Sequence, residues 1–266
     1  MITSPRQNLT RFPGTPIAII LSAIAISALQ LPQLNKLTSK AQNNSVAQLN
    51  QELEVEKQRL QVLRKLPSFG FNNLVSNWTF INFLIYFGDD TVRDKTGYSL
   101  SPEFFEVVIN RDPYFLHAYP FLSGSTTMYA GMPERTIALM EKGLKHMSAQ
   151  FPPKSYYVWR YKGMNELLFT DNATSAKKSF EIAANWASHY SDEESKSVLA
   201  ISRQTAKFLE TNPLSKSAKV SAWVMVFNNA IDDRTRKLAI SKIQALGGRV
   251  TVTPQGGLSV QLPQKD

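Results

Sequence analysis

The chain has no cysteine among its 266 residues and only three histidines, His117, His146 and His189. The first absence excludes disulfides, thiolate metal sites and a cysteine nucleophile, and it fits a domain carried across a membrane. The histidines are scattered and lack metal-ligand spacing. Also missing are a Walker-type phosphate loop, a Gly-x-Ser-x-Gly turn and a His-Glu-x-x-His pair. Alternating apolar and polar runs are missing before Val250, so little strand is expected. These gaps point away from an enzyme, a resident cofactor or a metal.

Acidic residues are the minority, 21 against 30 basic, and the excess sits late. Between residues 200 and 250 nine bases face only Glu210, Asp232 and Asp233. A solvated helix face explains such a run; an acidic protein or anionic lipid headgroups would also suit it. Nucleic acid is not expected, because no reader motif accompanies the charge.

Residues 1–16 form a polar N-terminus with Arg6 and Arg11 and no acid. Residues 17–31 then form an apolar run between Pro16 and Pro32. As a helix it covers roughly 22 Å, short of the ~30 Å hydrocarbon core, so an anchor needs snorkelling flanks or local thinning. A cleaved signal peptide is the competing reading, but Ile26 spoils the small-residue pattern for cutting after Ala28. The expectation is a single N-terminal anchor, with the bulk of the chain on the non-cytoplasmic side.

Residues 41–66 are helical and charged, with Val46, Leu53 and Leu60 seven apart and a second row of Leu49 and Leu63 that Glu56 breaks. A stalk helix is expected, a short coiled coil being the alternative. Pro67 and Gly70 end it. Residues 71–88 are the most apolar part of the folded region, yet five Asn and Ser side chains make a second span expensive, so a buried helix is expected. Asp89 and Asp90 follow. Adjacent side chains diverge, so the pair reads as a solvated loop; an acidic site there is the enzyme alternative. Ser101 and Pro102 start the next helix as N-cap and first residue. Three helix pairs are expected at 69–110, 116–147 and 154–188, then three single helices up to Gly247 and Gly248. Two alternating runs within 249–262 read as a β-hairpin.

The segment 156–184 carries the densest pattern: Trp159, Gly163, Ala176, Phe180 and Ala183. Small residues mark where two helices approach closely, and aromatics fill the groove beside them. This pattern resembles the tetratricopeptide repeat (TPR), with one extra residue between Gly163 and Ala176. The resemblance implies a mainly α fold, an antiparallel helix-pair solenoid over 69–248. Anchor, stalk and C-terminal β-hairpin complete it. Asn77, Trp78, Asp112, Pro113 and the run from Glu141 to Leu144 further look like membrane-anchored repeat proteins of cyanobacterial type. That likeness implies a thylakoid or plasma-membrane setting and a role in assembly or maintenance of a membrane complex. The expected activity is a membrane-tethered scaffold for protein–protein interaction; the alternative is an envelope enzyme or subunit using Asp89 and Asp90. Tyr119, Thr127, Tyr161, Lys162 and Glu166 lie on candidate inner helices and are the expected partner-binding residues. Expected contacts are a protein partner, the membrane through 17–31, and anionic lipid through the basic 200–250 face.

Overall fold

The computed structural model describes residues 45–230, 232–252 and 258–266, and before them residues 22, 24, 26–28 and 30. The chain divides into two units, residues 1–49 and 50–266. In the first, Ser22, Ile24, Ile26, Ser27, Ala28 and Gln30 are helical and exposed; the rest of the 17–31 run lies outside the described residues. Among the described residues no helix is long and apolar enough to cross a membrane.

The second unit is mainly helical and closes with a two-stranded antiparallel sheet. Helix α1 (Val46–Lys65) enters it from the first unit. Its C-terminal half does not stand clear as a stalk. Leu60 is buried, Leu53 and Leu63 pack on the core, and Arg64 pairs with Glu103 and Glu106 at 3.3 and 2.8 Å. Arg111 fastens the end of α1 by donating to the Leu63 carbonyl at 2.5 Å.

Helix α2 (Asn72–Gly88) packs on α4 (Ser101–Arg111). Phe83 lies 4.5 Å from Phe105, ring to ring, and Phe80 is edge-on to Phe115 and Phe121. None of the α2 amides is buried: Ser76, Thr79, Phe80 and Phe83 face inward, whereas Leu74, Trp78, Ile81 and Ile85 form an exposed stripe, Trp78 at 58 %. The helix expected to be buried is therefore half covered. A short helix α3 (Asp90–Thr96) occupies the expected loop, because Asp89 caps it by accepting the Val92 N–H. Helix α4 starts at Ser101, with Leu100 at the cap position; the Ser101 hydroxyl is buried without a hydrogen bond and caps nothing.

Helix α5 (Ala118–Leu122) runs into a π-helical turn, Ser123–Tyr129, and α6 (Pro133–Leu144) follows. Tyr119 seats its ring over Gly143, where an added Cβ would come within 1.8 Å of the Tyr119 hydroxyl. Helices α7 (Tyr156–Phe169) and α8 (Ala173–Ala187) run in opposite directions. Trp159 meets Trp186, while Gly163, further along α7, meets Phe180 and Ser179, further back along α8. The absence of a Cβ at Gly163 lets the two helices approach closely, since one would sit 3.2 Å from Phe180 and Ser179. Helices α9 (Glu193–Thr211), α10 (Lys216–Asn228) and α11 (Asp233–Ala245) follow in turn, each packed on its predecessor. Asn172, Asp192, Ser215 and Asp232 cap α8 to α11 with their side chains, satisfying N–H groups the helix leaves unpaired. Strands β1 (Arg249–Val252) and β2 (Leu258–Gln261) pair with Val250 opposite Val260, and both valines pack on the core.

Candidate binding groove

Helix α7 directs Tyr157, Arg160 and Tyr161 to one side, at helical spacings of three and four. Glu194, Ser197, Val198 and Ile201 do the same from α9, and Ser221, Val224, Met225 and Asn228 from α10. The three faces border a groove of about 640 Å³, with Val260 and Leu262 from the C-terminal segment along it. Tyr157 donates its hydroxyl to Glu194 at 2.6 Å, and Lys154 also pairs with that carboxylate. Lys154 and Tyr157 together hold the Glu194 carboxyl below its usual range. Burial raises the Tyr157 hydroxyl, and its bond to Glu194 adds to this.

A second cavity of about 150 Å³ adjoins the groove and shares Tyr161, Met225 and Asn229 with it. Phe87, Phe121, Met128 and Met164 make it mostly apolar. Its wall includes residues of the π-helical turn, a conformation often found at functional sites. Tyr161 donates to Asn229 at 3.0 Å between the two spaces, and burial pushes its hydroxyl up to about 12. Tyr129 donates to Asp232 at 2.6 Å. Burial and that carboxylate also push the Tyr129 hydroxyl to about 12.

No protein-family model, curated protein or solved structure matches the chain. The groove is therefore read from its own residues.

Of the five residues expected on the inner surface, only Tyr161 lines the groove. Tyr119 is buried and donates to the Pro113 carbonyl at 2.7 Å. Thr127 is buried too, donating to Asn165 at 2.6 Å beside Thr136, while Asn165 donates to Ser123 at 2.8 Å. Lys162 and Glu166 are 7 % and 3 % exposed and form an ion pair of 2.5 Å against α8. Ser179 donates to the other Glu166 oxygen at 2.6 Å. These four expectations are corrected: the side chains hold helices to one another. Lys162 is one position past Tyr161, a rotation of about 100° on a helix, enough to turn it from the groove to α8. Arg160, Ser197, Ile201 and Val224 were missed, although the spacing from Tyr157 through Arg160 to Tyr161 was a usable signal.

Asp89 accepts the Val92 N–H with its carboxylate, and Asp90 is exposed on the first turn of α3. Among the described residues no three His, Cys, Asp or Glu side chains are grouped to hold a metal. The late basic residues Arg203, Lys207, Arg234, Lys237 and Lys242 are exposed and spread over α9 and α11.

Proposed function

We propose that this protein is a membrane-tethered, TPR-like scaffold that holds a protein partner in the groove between α7, α9 and α10. The observation carrying this reading is that three helices each contribute one regularly spaced face to a single concave surface. The packing of the motif residues supports a helix-pair repeat: Trp159 lies against Trp186, Gly163 against Phe180, and Ala176 and Ala183 are fully buried. The tether is the apolar run 17–31, with the domain on the non-cytoplasmic side of a thylakoid or plasma membrane. There the scaffold serves the assembly or maintenance of a membrane complex, and the basic faces of α9 and α11 lie toward anionic lipid.

Capture with crosslinking from solubilised membranes tests the reading. Ile201 lines the groove and is exposed, so Ile201→Glu changes its surface with little effect on the fold. The parent should retain a defined protein that Ile201→Glu loses. Equal recovery by both chains would place the partner elsewhere and defeat the proposal.

A further inference from the structure

Three cations are buried among the described residues: Arg93, Arg160 and Lys162. Lys162 has Glu166, and Arg93 donates to the Gly97 carbonyl while stacking 4.0 Å from the Tyr86 ring centre. Arg160 differs. It is 8 % exposed, its Nε is sealed from solvent, and no described residue accepts a hydrogen bond from it or pairs with its charge. Around it are the hydroxyls of Tyr157, Tyr161 and Tyr156, none of them a hydrogen-bond acceptor for it, and the centre of the Tyr157 ring lies 5.8 Å away. A guanidinium does not escape such a place by losing its proton at neutral pH. A largely desolvated charge without a counter-charge is unfavourable, and the two terminal nitrogens, unlike Nε, are open to the groove that Arg160 lines.

We infer that Arg160 is the anchor of a ligand subsite for a monocarboxylate with an aliphatic body. The planar guanidinium matches the two oxygens of a carboxylate. Glu194 borders the same groove but is already paired with Lys154 and Tyr157, which leaves the Arg160 guanidinium to meet an incoming carboxylate. Val198, Ile201, Val224 and Met225 supply apolar surface beside Arg160, and a groove of about 640 Å³ has room for much more than the carboxylate itself. Burial lowers the pKa of Arg160, in keeping with an environment short of compensating charge. The inference rests on the groove being a binding site, but not on the partner being a protein.

The test titrates the full chain with octanoate and with octanol, which has the same tail and no charge. The parent, Arg160→Lys and Arg160→Met are compared in one detergent, so that partition into micelles cancels between them. The parent should bind octanoate at least tenfold more tightly than octanol. Arg160→Met should lose that preference, and Arg160→Lys should keep part of it. Without ligand, Arg160→Met should melt at or above the parent, since it removes an unpaired buried charge. Equal binding of octanoate and octanol by the parent would overturn the subsite and leave the scaffold reading standing. A preference that survives in Arg160→Met would overturn it as well, as would a ligand-free Arg160→Met chain melting well below the parent. Displacement of octanoate by a short peptide acid, but not by its amide, supports the subsite and assigns the carboxylate to a polypeptide. Octanoate that no such peptide displaces supports it as a site for a small acid, and the scaffold reading then fails at this groove.

Discussion

Replacing Lys162 by methionine should unfold the chain far more readily than any surface change. The side chain is 7 % exposed, and its ammonium sits 2.5 Å from Glu166 and 3.3 Å from Glu141. Once it is gone, Glu166 remains buried and charged with one donor left, the Ser179 hydroxyl at 2.6 Å. Stranding one member of a buried pair typically costs about 3–5 kcal/mol. That is a large part of the ~5–15 kcal/mol that holds a domain folded. The reverse deletion should be milder. In Glu166→Gln the lysine falls back on Glu141, which is 54 % exposed at its side chain and partly solvated, and the loss should be about 1–3 kcal/mol. Lys162→Met with Glu166→Leu removes both charges at little change in bulk, and should recover to within ~1–2 kcal/mol of the parent. Urea melts followed by circular dichroism give these stabilities, and Glu166→Leu alone closes the double-mutant cycle that isolates the coupling. If Lys162→Met melts within ~0.5 kcal/mol of the parent, the pair faces water. The packing of α7 on α8 derived above would then be wrong.

Three further outcomes follow from particular contacts. Gly143→Ala drives a Cβ to 1.8 Å from the Tyr119 hydroxyl and should cost about 1–3 kcal/mol; adding Tyr119→Phe should restore part of the melting temperature, and no restoration would remove this contact as the cause. Ala183 is fully buried between helices, so Ala183→Leu should overpack it by about 1–3 kcal/mol in the same melts; a parent-like melt would show unused space there. Burial would raise the Asp232 carboxyl, but donors from Tyr129 and Thr235 outweigh it and hold the pKa below its ordinary 3.8. A depressed folded pKa means that this stabilisation is complete above about pH 5 and fades as pH falls through the folded value. The melting gap between the parent and Asp232→Asn should therefore be flat above pH 5 and shrink below pH 4; a gap unchanged at low pH would contradict the assignment.

The helix ends were legible in the chain itself. Pro67 with Gly70, Asp112 with Pro113, Asn212 with Pro213, and Gly247 with Gly248 each interrupt a helical run where an observed helix stops. Proline and glycine act on the local backbone, so no distant residue is needed to read them. The alternation of Val250 with Thr251 foretold a strand for the same reason, because its period is a local property. The spacing of Trp159, Gly163, Ala176, Phe180 and Ala183 also foretold that α7 would lie on α8, since small residues allow close approach only where large ones face them.

The orientation of α7 was decided by its neighbours. Ten of its fourteen residues are buried, so no solvent face exists to set the register of the others. Lys162 and Glu166 look like exposed partners four apart on a helix, and only the arrival of α8 encloses them. Arg160 looks like any surface arginine; its isolation depends on α9 and α10, which follow it by thirty residues and more. The turn at Ser123–Tyr129 reads as ordinary α-helix in sequence, yet it coils as a π-helix in which Ser123 and Thr127 both reach Asn165. Periodicity reports how often a side chain returns to a stripe. Which stripe meets which neighbour is set by long-range packing, and so the groove and its solitary cation belong to the tertiary structure alone.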